Sequence, residues 1–140
     1  MILLDVGVWL AAAWGGHVHH PVVAAWFEEQ SRGLVLCRVT QMSLLRLLSN
    51  PAVMGSDVVE RSGAWSVVDE FRGDSRVVWA DEPPHLEHVW RALSAREDSS
   101  HKPWTDDYLA AFAQAGDLAL ATLDGAYTKR YSSVRVETLV

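Results

Sequence analysis

The chain has 140 residues, of which 49% are hydrophobic, so it can bury a sizeable core. It is too short for two domains of ordinary size, and we expect one domain over residues 1–140. Its formal net charge of −6, with only 12 lysines and arginines, argues against broad charge-driven binding to nucleic acid. Any nucleic-acid partner must therefore be contacted locally.

The first half of the chain predicts two strands and three helices. In order, these are a strand at residues 2–8, a brief helix at 9–14, a helix at about 21–30, a strand at 34–39 and a helix that Thr40 caps and Asn50-Pro51 closes. The strands are largely apolar runs, and Val23, Trp26 and Phe27 recur at helical spacing in the second helix. Thr40 suits a helix N-cap, and the apolar composition of the helix that follows indicates burial.

The second half continues the alternation of helices and strands. In order, we expect a looser helix at about 56–71, a strand at 77–79, a helix introduced by 81–84 that runs to about 96, an exposed loop at 97–102, a helix capped by Thr105 through Ala115, a strand at 118–123 and an edge strand around Val134 and Val136. Strands separated by one or two helices favour a three-layer α/β/α fold with a mainly parallel five-stranded sheet. The site of such a fold lies at the carboxyl ends of its strands.

Three acidic positions stand where this fold would gather them. Asp5 lies within an apolar run, where an ionised carboxylate is costly unless it is paired, hydrogen-bonded or bound to a cation. Asp124 directly follows the strand at 118–123, and Asp106 with Asp107 opens the helix before that strand. A parallel sheet could bring these carboxylates to one edge, where they would hold a divalent metal ion.

Cysteine content and hydropathy bear on the cellular compartment. Cys37 is the only cysteine, so no intramolecular disulfide can form and nothing implies an oxidising compartment. No apolar stretch is long enough to span a bilayer, and the N-terminus lacks the basic segment of a secretory signal. We therefore expect a soluble, cytoplasmic protein with no membrane partner.

Four segments together carry a family resemblance. They are LLDVGVWL at 3–10, VTQ with LLRL and NP within 39–51, TDDYL at 105–109 and LATLD at 120–124. In this order and at this spacing they resemble the successive motifs of PIN-domain ribonucleases. The likeness is nearest to the VapC toxins of VapBC toxin–antitoxin pairs, particularly the mycobacterial-type group, and it covers nearly the whole chain.

The resemblance implies a PIN-like fold and endonucleolytic cleavage of RNA that depends on Mg²⁺, with Mn²⁺ as a substitute. It also implies a VapB-type antitoxin that blocks the site and a toxin that forms a homodimer. Asp5, Asp106 and Asp124 match the family's acidic positions and would be the catalytic, metal-binding carboxylates. Thr122 could support one of them through a hydrogen bond.

Two positions depart from the family pattern. Gly7 stands where relatives commonly have Asn, and Ser43 stands where most have an acidic residue, three positions before Arg46. With three carboxylates instead of four, we expect weaker metal binding and a less favoured two-metal arrangement. Ser43 remains a candidate for positioning water, and Arg46 for contacting RNA phosphate, with pairing to a site carboxylate as the alternative for Arg46.

Each local signal also has a simpler interpretation. Asp106 and Asp107 would stabilise the first turn of a helix without any metal, and Asp124-Gly125 alone is a turn signal. The histidines at 17, 19 and 20 favour a helix start over a metal site. The basic pair Lys129 and Arg130 could steer RNA or simply be solvated.

Two other functions are compatible with parts of the sequence. Gly7 and Ser43 motivate a catalytically weakened PIN-like module that binds RNA or protein. A phosphotransfer or phosphohydrolase domain with Asp5 as its nucleophile is the other alternative. It is disfavoured because such hydrolases place a second Asp two residues later, where this chain has Gly7.

Overall fold

The computed structural model describes residues 1–31 and 33–140, and within them five short strands form one parallel sheet. The strands are β1 (Ile2–Leu4), β2 (Leu34–Leu36), β3 (Val77–Trp79), β4 (Ala119–Thr122) and β5 (Val136–Thr138). Their order across the sheet is β3-β2-β1-β4-β5, and every neighbouring pair is parallel. This confirms the predicted α/β class and the five-stranded sheet.

The helices lie on both faces of the sheet. They are α1 (Val6–Ala13), α2 (His20–Glu29), α3 (Arg38–Leu48), α4 (Pro51–Met54), α5 (Arg61–Gly73), α6 (Leu86–Ser94), α7 (Trp104–Ala115) and α8 (Tyr127–Arg130), with a 3₁₀ turn at Gly55–Asp57. Ile2 and Leu4 face the core built with α1, α2, α3 and α5, whereas Leu3 faces the core built with α6 and α7. This alternation produces the predicted three layers, because successive side chains of a strand point to opposite faces of the sheet.

The first two strands end earlier than predicted. β1 stops at Leu4 and β2 at Leu36, and a helix begins one residue after Asp5 and one residue after Cys37. Each strand therefore passes into its helix through a single extended residue that serves as the N-cap. Apolar composition cannot mark this change, because the first turn of a buried helix is as apolar as the strand before it.

Thr40 and Thr105 do not occupy the predicted cap positions. Thr40 is the third residue of α3, and its hydroxyl accepts a hydrogen bond from the Cys37 amide at 3.1 Å and donates to the Cys37 carbonyl at 3.0 Å. Pro103 holds the N-cap position of α7, which begins at Trp104. The cap predictions were wrong because Thr is also accepted inside the first turn, where its hydroxyl satisfies backbone groups.

Two further helices differ from their predicted form. The helix expected at about 56–71 begins at Arg61, after the 3₁₀ turn and an extended connection. α3, expected to be buried, exposes Met42 and Arg46 to solvent and buries a face formed by Thr40, Gln41, Leu44 and Leu48. Nowhere in the described part of the chain is there a helix of sufficient length and hydrophobicity to cross a bilayer.

Candidate functional site

Strands β1 and β4 lie side by side at the centre of the sheet, and the candidate site is at their carboxyl ends. Leu4 pairs with Ala121, so Asp5, the residue after β1, lies beside Thr122, the last residue of β4. The chain proceeds from β1 to β2 on one side, whereas β4 lies on the other side. Such a reversal of strand order opens a crevice at the carboxyl edge, which is where α/β folds bind ligands.

Asp5 is the most tightly held carboxylate of the site. Its Oδ1 accepts a hydrogen bond from the Val6 amide at 2.7 Å as the N-cap of α1, and its Oδ2 accepts one from the Thr122 hydroxyl at 3.1 Å. Burial and the negative charge of Asp106 raise the pKa of Asp5 to about 6, and Asp124 contributes in the same direction. Asp5 is thus partly desolvated and surrounded by like charge, a combination that a bound cation would relieve.

Thr122 connects two of the acidic positions. Its buried hydroxyl donates to Asp5, and its oxygen accepts a hydrogen bond from the Asp124 amide at 3.1 Å. The hydroxyl therefore fixes both the Asp5 carboxylate and the start of the turn that carries Asp124. This is the type of support that orients metal-binding carboxylates in proteins.

Asp106 and Asp124 meet at the guanidinium group of Arg130. The Nη2 atom of Arg130 lies 2.7 Å from Asp124 Oδ2 and 3.3 Å from Asp106 Oδ2. The same guanidinium lies over the rings of Tyr127 and Tyr131, 5.2 and 5.6 Å from their centroids. A cation of the protein itself thus bridges two of the three carboxylates.

Tyr127 contributes a buried hydroxyl to the site. It donates to Asp106 Oδ1 at 3.0 Å. Burial raises the pKa of Asp106, an effect that the hydrogen bond from Tyr127 and the charge of Arg130 oppose. Burial and the nearby charges of Asp5 and Asp106 raise the pKa of Tyr127, so its hydroxyl stays protonated and remains a donor.

Asp107 faces away from this group. It is 1% exposed and lies between Arg96, whose two terminal nitrogens are each 3.2 Å from its carboxylate oxygens, and the Tyr131 hydroxyl at 2.6 Å. Asp106 and Asp107 therefore have different roles although they are adjacent. Asp107 ties the connection between α6 and α7 to the end of α8.

Two clefts open at the acidic edge and share Asp106 as a wall. One, of about 570 Å³, is also lined by Asp5, Ser43, Arg46 and other residues of α3 and α4. The other, of about 480 Å³, contains Lys102 and further residues of the connection between α6 and α7. Arg46 forms no ion pair within residues 1–31 and 33–140, so its guanidinium is available to a ligand in the first cleft.

The donor set fits a hard divalent ion, although the side chains do not yet form a cage. Carboxylate oxygens are the ligands that Mg²⁺ and Mn²⁺ prefer. Across the described ranges, no group of three or more His, Cys, Asp or Glu side chains is already placed to hold a metal ion. Two of the candidate ligands, Asp106 and Asp124, are bridged instead by the guanidinium of Arg130.

The structure brings together residues that are far apart in the chain. Asp5, Asp106, Asp124 and Thr122 meet at one edge, with Ser43 and Arg46 across the first cleft. Sequence reasoning placed Arg130 near the site as an RNA-steering candidate but did not anticipate its ion pairs, and it missed Tyr127. A signal for Tyr127 existed in its position three residues after Asp124, within one turn of that carboxylate, where its amide donates to the Asp124 carbonyl at 3.2 Å.

The chain is similar in sequence to a known protein family. A family model described as PIN domain matches residues 2–132. Over 99% of both chains, the sequence is 42% identical to Ribonuclease VapC41 of Mycobacterium tuberculosis, and over 98% of both it is 30% identical to Ribonuclease VapC39 of the same organism.

Solved structures with the same fold include toxin–antitoxin proteins. VapBC2 of Rickettsia felis, crystallised with a promoter DNA fragment, has a TM-score of 0.71 at 16% identity over 100% of both chains. VapC20 of Mycobacterium tuberculosis, a Sarcin-Ricin loop cleaving toxin, has a TM-score of 0.71 at 14% identity over 96% of this chain and 99% of its own. At these identities the likeness establishes the fold.

Proposed function

The chain belongs to the VapC ribonucleases of the PIN-domain family, and from that membership we propose that it is an endoribonuclease, the toxin of a type II toxin–antitoxin pair. Its substrate is RNA, and its reaction is hydrolysis of a phosphodiester bond. The observation that carries the proposal is the meeting of Asp5, Asp106 and Asp124 at one edge of the sheet. Asp5 lies over a hundred positions before the other two in the chain, and it shares with Asp106 a cleft of a size suited to a nucleotide chain.

We assign the three carboxylates as the ligands of Mg²⁺, with Mn²⁺ as a substitute. Asp5 offers a desolvated carboxylate oriented by Val6 and Thr122, and Asp106 and Asp124 offer oxygens that already hold a cation, the guanidinium of Arg130. When bound, the ion supplies Lewis-acid polarisation of the phosphate and acidifies the attacking water.

The remaining residues of the cleft would bind and orient the substrate. Arg46, exposed and without an ion pair in the described part of the chain, would contact an RNA phosphate. Ser43 lines the same cleft and would position water through its hydroxyl. Thr122 and Tyr127 hold Asp5 and Asp106 in place by hydrogen bonds.

The proposal can be tested by cleavage assays on structured RNAs with added Mg²⁺ or Mn²⁺. Asp5→Asn and Asp106→Asn should each abolish cleavage, because each removes a negative ligand while preserving side-chain shape. Asp69→Asn is the matched control, since Asp69 is exposed on α5 away from the cleft. Unchanged cleavage in either site variant would exclude this assignment.

A second candidate is a PIN-like module that binds RNA or protein but has lost catalysis. Ser43 in place of the family's usual acidic residue favours it, as does the pairing of Asp106 and Asp124 with Arg130 instead of an open acidic pocket. Calorimetry with Mn²⁺ separates the two candidates. Uptake that is lost in Asp5→Asn supports the nuclease, and the absence of uptake supports the binding module.

We further propose a VapB-type antitoxin as protein partner. Proteins of similar fold have been solved as two-component complexes on DNA. Two examples are FitAB bound to a DNA fragment and DNA-bound VapBC of Salmonella typhimurium. We also propose that the protein forms a homodimer, is located in the cytoplasm and consists of a single domain over residues 1–140. Copurification with the product of an adjacent small gene, followed by loss of cleavage in the complex, would test the partner.

A further inference from the structure

Trp104 is an exposed tryptophan at the amino-terminal end of α7, two residues before Asp106. Its side chain is 53% exposed, although tryptophan is among the side chains that lose most from contact with water. Two residues along a helix correspond to about 3 Å of axial rise and roughly 200° of rotation, so Trp104 lies at nearly the same level as Asp106 but on the opposite side of α7. An exposed aromatic at the level of a proposed active site needs an explanation.

The ring of Trp104 is held from one side by a stack of aromatic residues. It makes an edge contact with Trp90, with centroids 6.3 Å apart and ring planes at 81°. Trp90 in turn packs against Tyr108 at 5.3 Å and 90°. A perpendicular contact covers at most one face of the Trp104 indole, so a second face remains open.

The two tryptophans border a small pocket on the outer side of α6. Its volume is about 270 Å³, and its walls are Glu87, Trp90, Arg91, Ser94, Ala95 and Trp104. This volume suits one planar ring system and is too small for a helix of a partner protein. The pocket is also adjacent to the 480 Å³ cleft that contains Asp106, because Ala95 borders the former and Arg96 the latter.

Cationic side chains flank the aromatic pair. Arg91 lines the pocket itself, and Lys102 lines the neighbouring cleft two residues before Trp104. Neither forms an ion pair with any other described residue. Acidic side chains lie in the same pockets, Glu87 with Arg91 and Asp98 with Lys102, but neither forms an ion pair with these two cations, which remain the groups beside the open indole that can contact a phosphate backbone.

We propose that Trp104, supported by Trp90, is a stacking platform for one unpaired RNA base beside the 480 Å³ cleft that contains Asp106, with Arg91 and Lys102 contacting the adjoining phosphates. The proposal rests on the proposed function, because it takes RNA as the substrate. Unpaired bases expose a flat surface that stacks on aromatic side chains, whereas bases within a duplex do not. Trp104 would therefore direct the enzyme to loops and single strands.

The test measures binding without divalent ions, so that no cleavage occurs. A short, fluorescently tagged adenosine-rich RNA strand is titrated with wild-type protein, Trp104→Leu and Trp104→Phe, and the same strand in a duplex is titrated in parallel. Leu keeps the apolar bulk without the aromatic face, whereas Phe keeps an aromatic face. Val22→Ala is the control for an exposed apolar side chain away from both clefts, since Val22 is 49% exposed on α2.

We expect Trp104→Leu to bind the single strand about 5- to 150-fold more weakly, which corresponds to about 1–3 kcal/mol for one stacked base. Trp104→Phe should retain most of the affinity, Val22→Ala should retain all of it, and duplex binding should not change. Tryptophan fluorescence provides a second measurement, which does not depend on the Leu variant remaining folded. The single strand should quench this fluorescence more in the wild type than in Trp104→Phe.

Other results would overturn the platform without touching the proposed function. Equal affinity of wild type and Trp104→Leu for the single strand would do so, as would a wild type that does not bind the strand. A change of oligomeric state in Trp104→Leu with unaltered RNA affinity would assign the patch to protein contact instead. Failure of the proposed function is recognised separately, by the absence of metal-dependent cleavage in the wild type.

Discussion

Replacement of Asp5 by Asn should stabilise the metal-free protein at neutral pH while it abolishes cleavage. Asp5 is partly desolvated, and its charge faces Asp106 and Asp124. Asn keeps the shape and can still accept the hydrogen bond from the Val6 amide at the start of α1, since Asn and Asp are equally good N-caps. The variant therefore removes an unfavourable charge and, with it, the hydrogen bond from the Thr122 hydroxyl, because the amide nitrogen that replaces Oδ2 cannot accept it.

The expected magnitude follows from the raised pKa. Burial, followed by the charge of Asp106, raises the pKa of Asp5 from 3.8 to about 6. At 1.36 kcal/mol per pKa unit this corresponds to roughly 3 kcal/mol, and solvent screening of the partly exposed side chain reduces the expected gain to on the order of 2 kcal/mol.

The sign of the pH dependence also follows. Because the folded pKa lies above the unfolded one, the folded state retains this proton longer than the unfolded state. The contribution of Asp5 to stability is fully present below about pH 3.8, is lost as the pH rises to about 6, and does not change further above that. The increase in the free energy of unfolding caused by Asp5→Asn should thus be near zero at acidic pH and should reach its full value above about pH 6.

Urea unfolding in the presence of EDTA measures this difference across the pH range. Asp69→Asn, on the exposed side of α5, controls for the loss of one negative charge from the chain. The reasoning is refuted if Asp5→Asn lowers the unfolding midpoint at neutral pH, or if its effect is the same at acidic and neutral pH. In either case Asp5 would be a structural residue and its burial would carry no functional information.

Three further predictions concern the groups around Asp5. Arg130→Gln should lower thermal stability in EDTA and enlarge the stabilisation by Mn²⁺, because the two carboxylates lose a competing cation; Lys129→Gln, on the same short helix, should do neither in the same thermal-shift assay. Ser43→Glu should tighten Mn²⁺ binding in calorimetry by adding a fourth carboxylate to the cleft, and unchanged affinity would show that position 43 does not reach the ion. Asp107→Asn should destabilise the protein by about 1–3 kcal/mol in urea unfolding, since Arg96 and the buried Tyr131 hydroxyl lose a charged acceptor, yet leave the affinity for Mn²⁺ intact.

The layered fold could be predicted from sequence because its central strands β1 and β2 are buried on both faces. Runs such as 2–4 and 34–36 lack the polar alternation of a half-exposed sheet and therefore indicate a parallel sheet covered by helices. The boundaries were less predictable. β2 passes into α3 through Cys37 alone, and no glycine, proline or polar cluster marks the change.

The parts of the site that could be predicted are those attached to strand ends. Asp5 and Asp124 follow β1 and β4, and parallel pairing of these strands brings the two residues to one edge. Arg130 and Trp104 could not be placed in this way. Their contacts depend on the four-residue helix α8 and on the packing of α6 against α7, and neither arrangement has a periodic signal in the sequence.

Asp106 and Asp107 show how helix phase assigns different roles to identical neighbours. Consecutive residues of an α-helix point about 100° apart, so the first turn of α7 directs one carboxylate toward Asp5 and the other toward Arg96 and Tyr131. The sequence alone permits either to be a helix-end charge, and the family resemblance selects Asp106. The structure adds the physical reason: Asp107 is buried and binds Arg96 through both oxygens together with the Tyr131 hydroxyl at 2.6 Å, whereas Asp106 faces the cleft, accepts from Tyr127 at 3.0 Å and shares Arg130 with Asp124. A carboxylate whose oxygens are already paired within the fold is a poor ligand for a metal ion. Asp106, whose internal partners are weaker than those of Asp107, is therefore the carboxylate that can bind one.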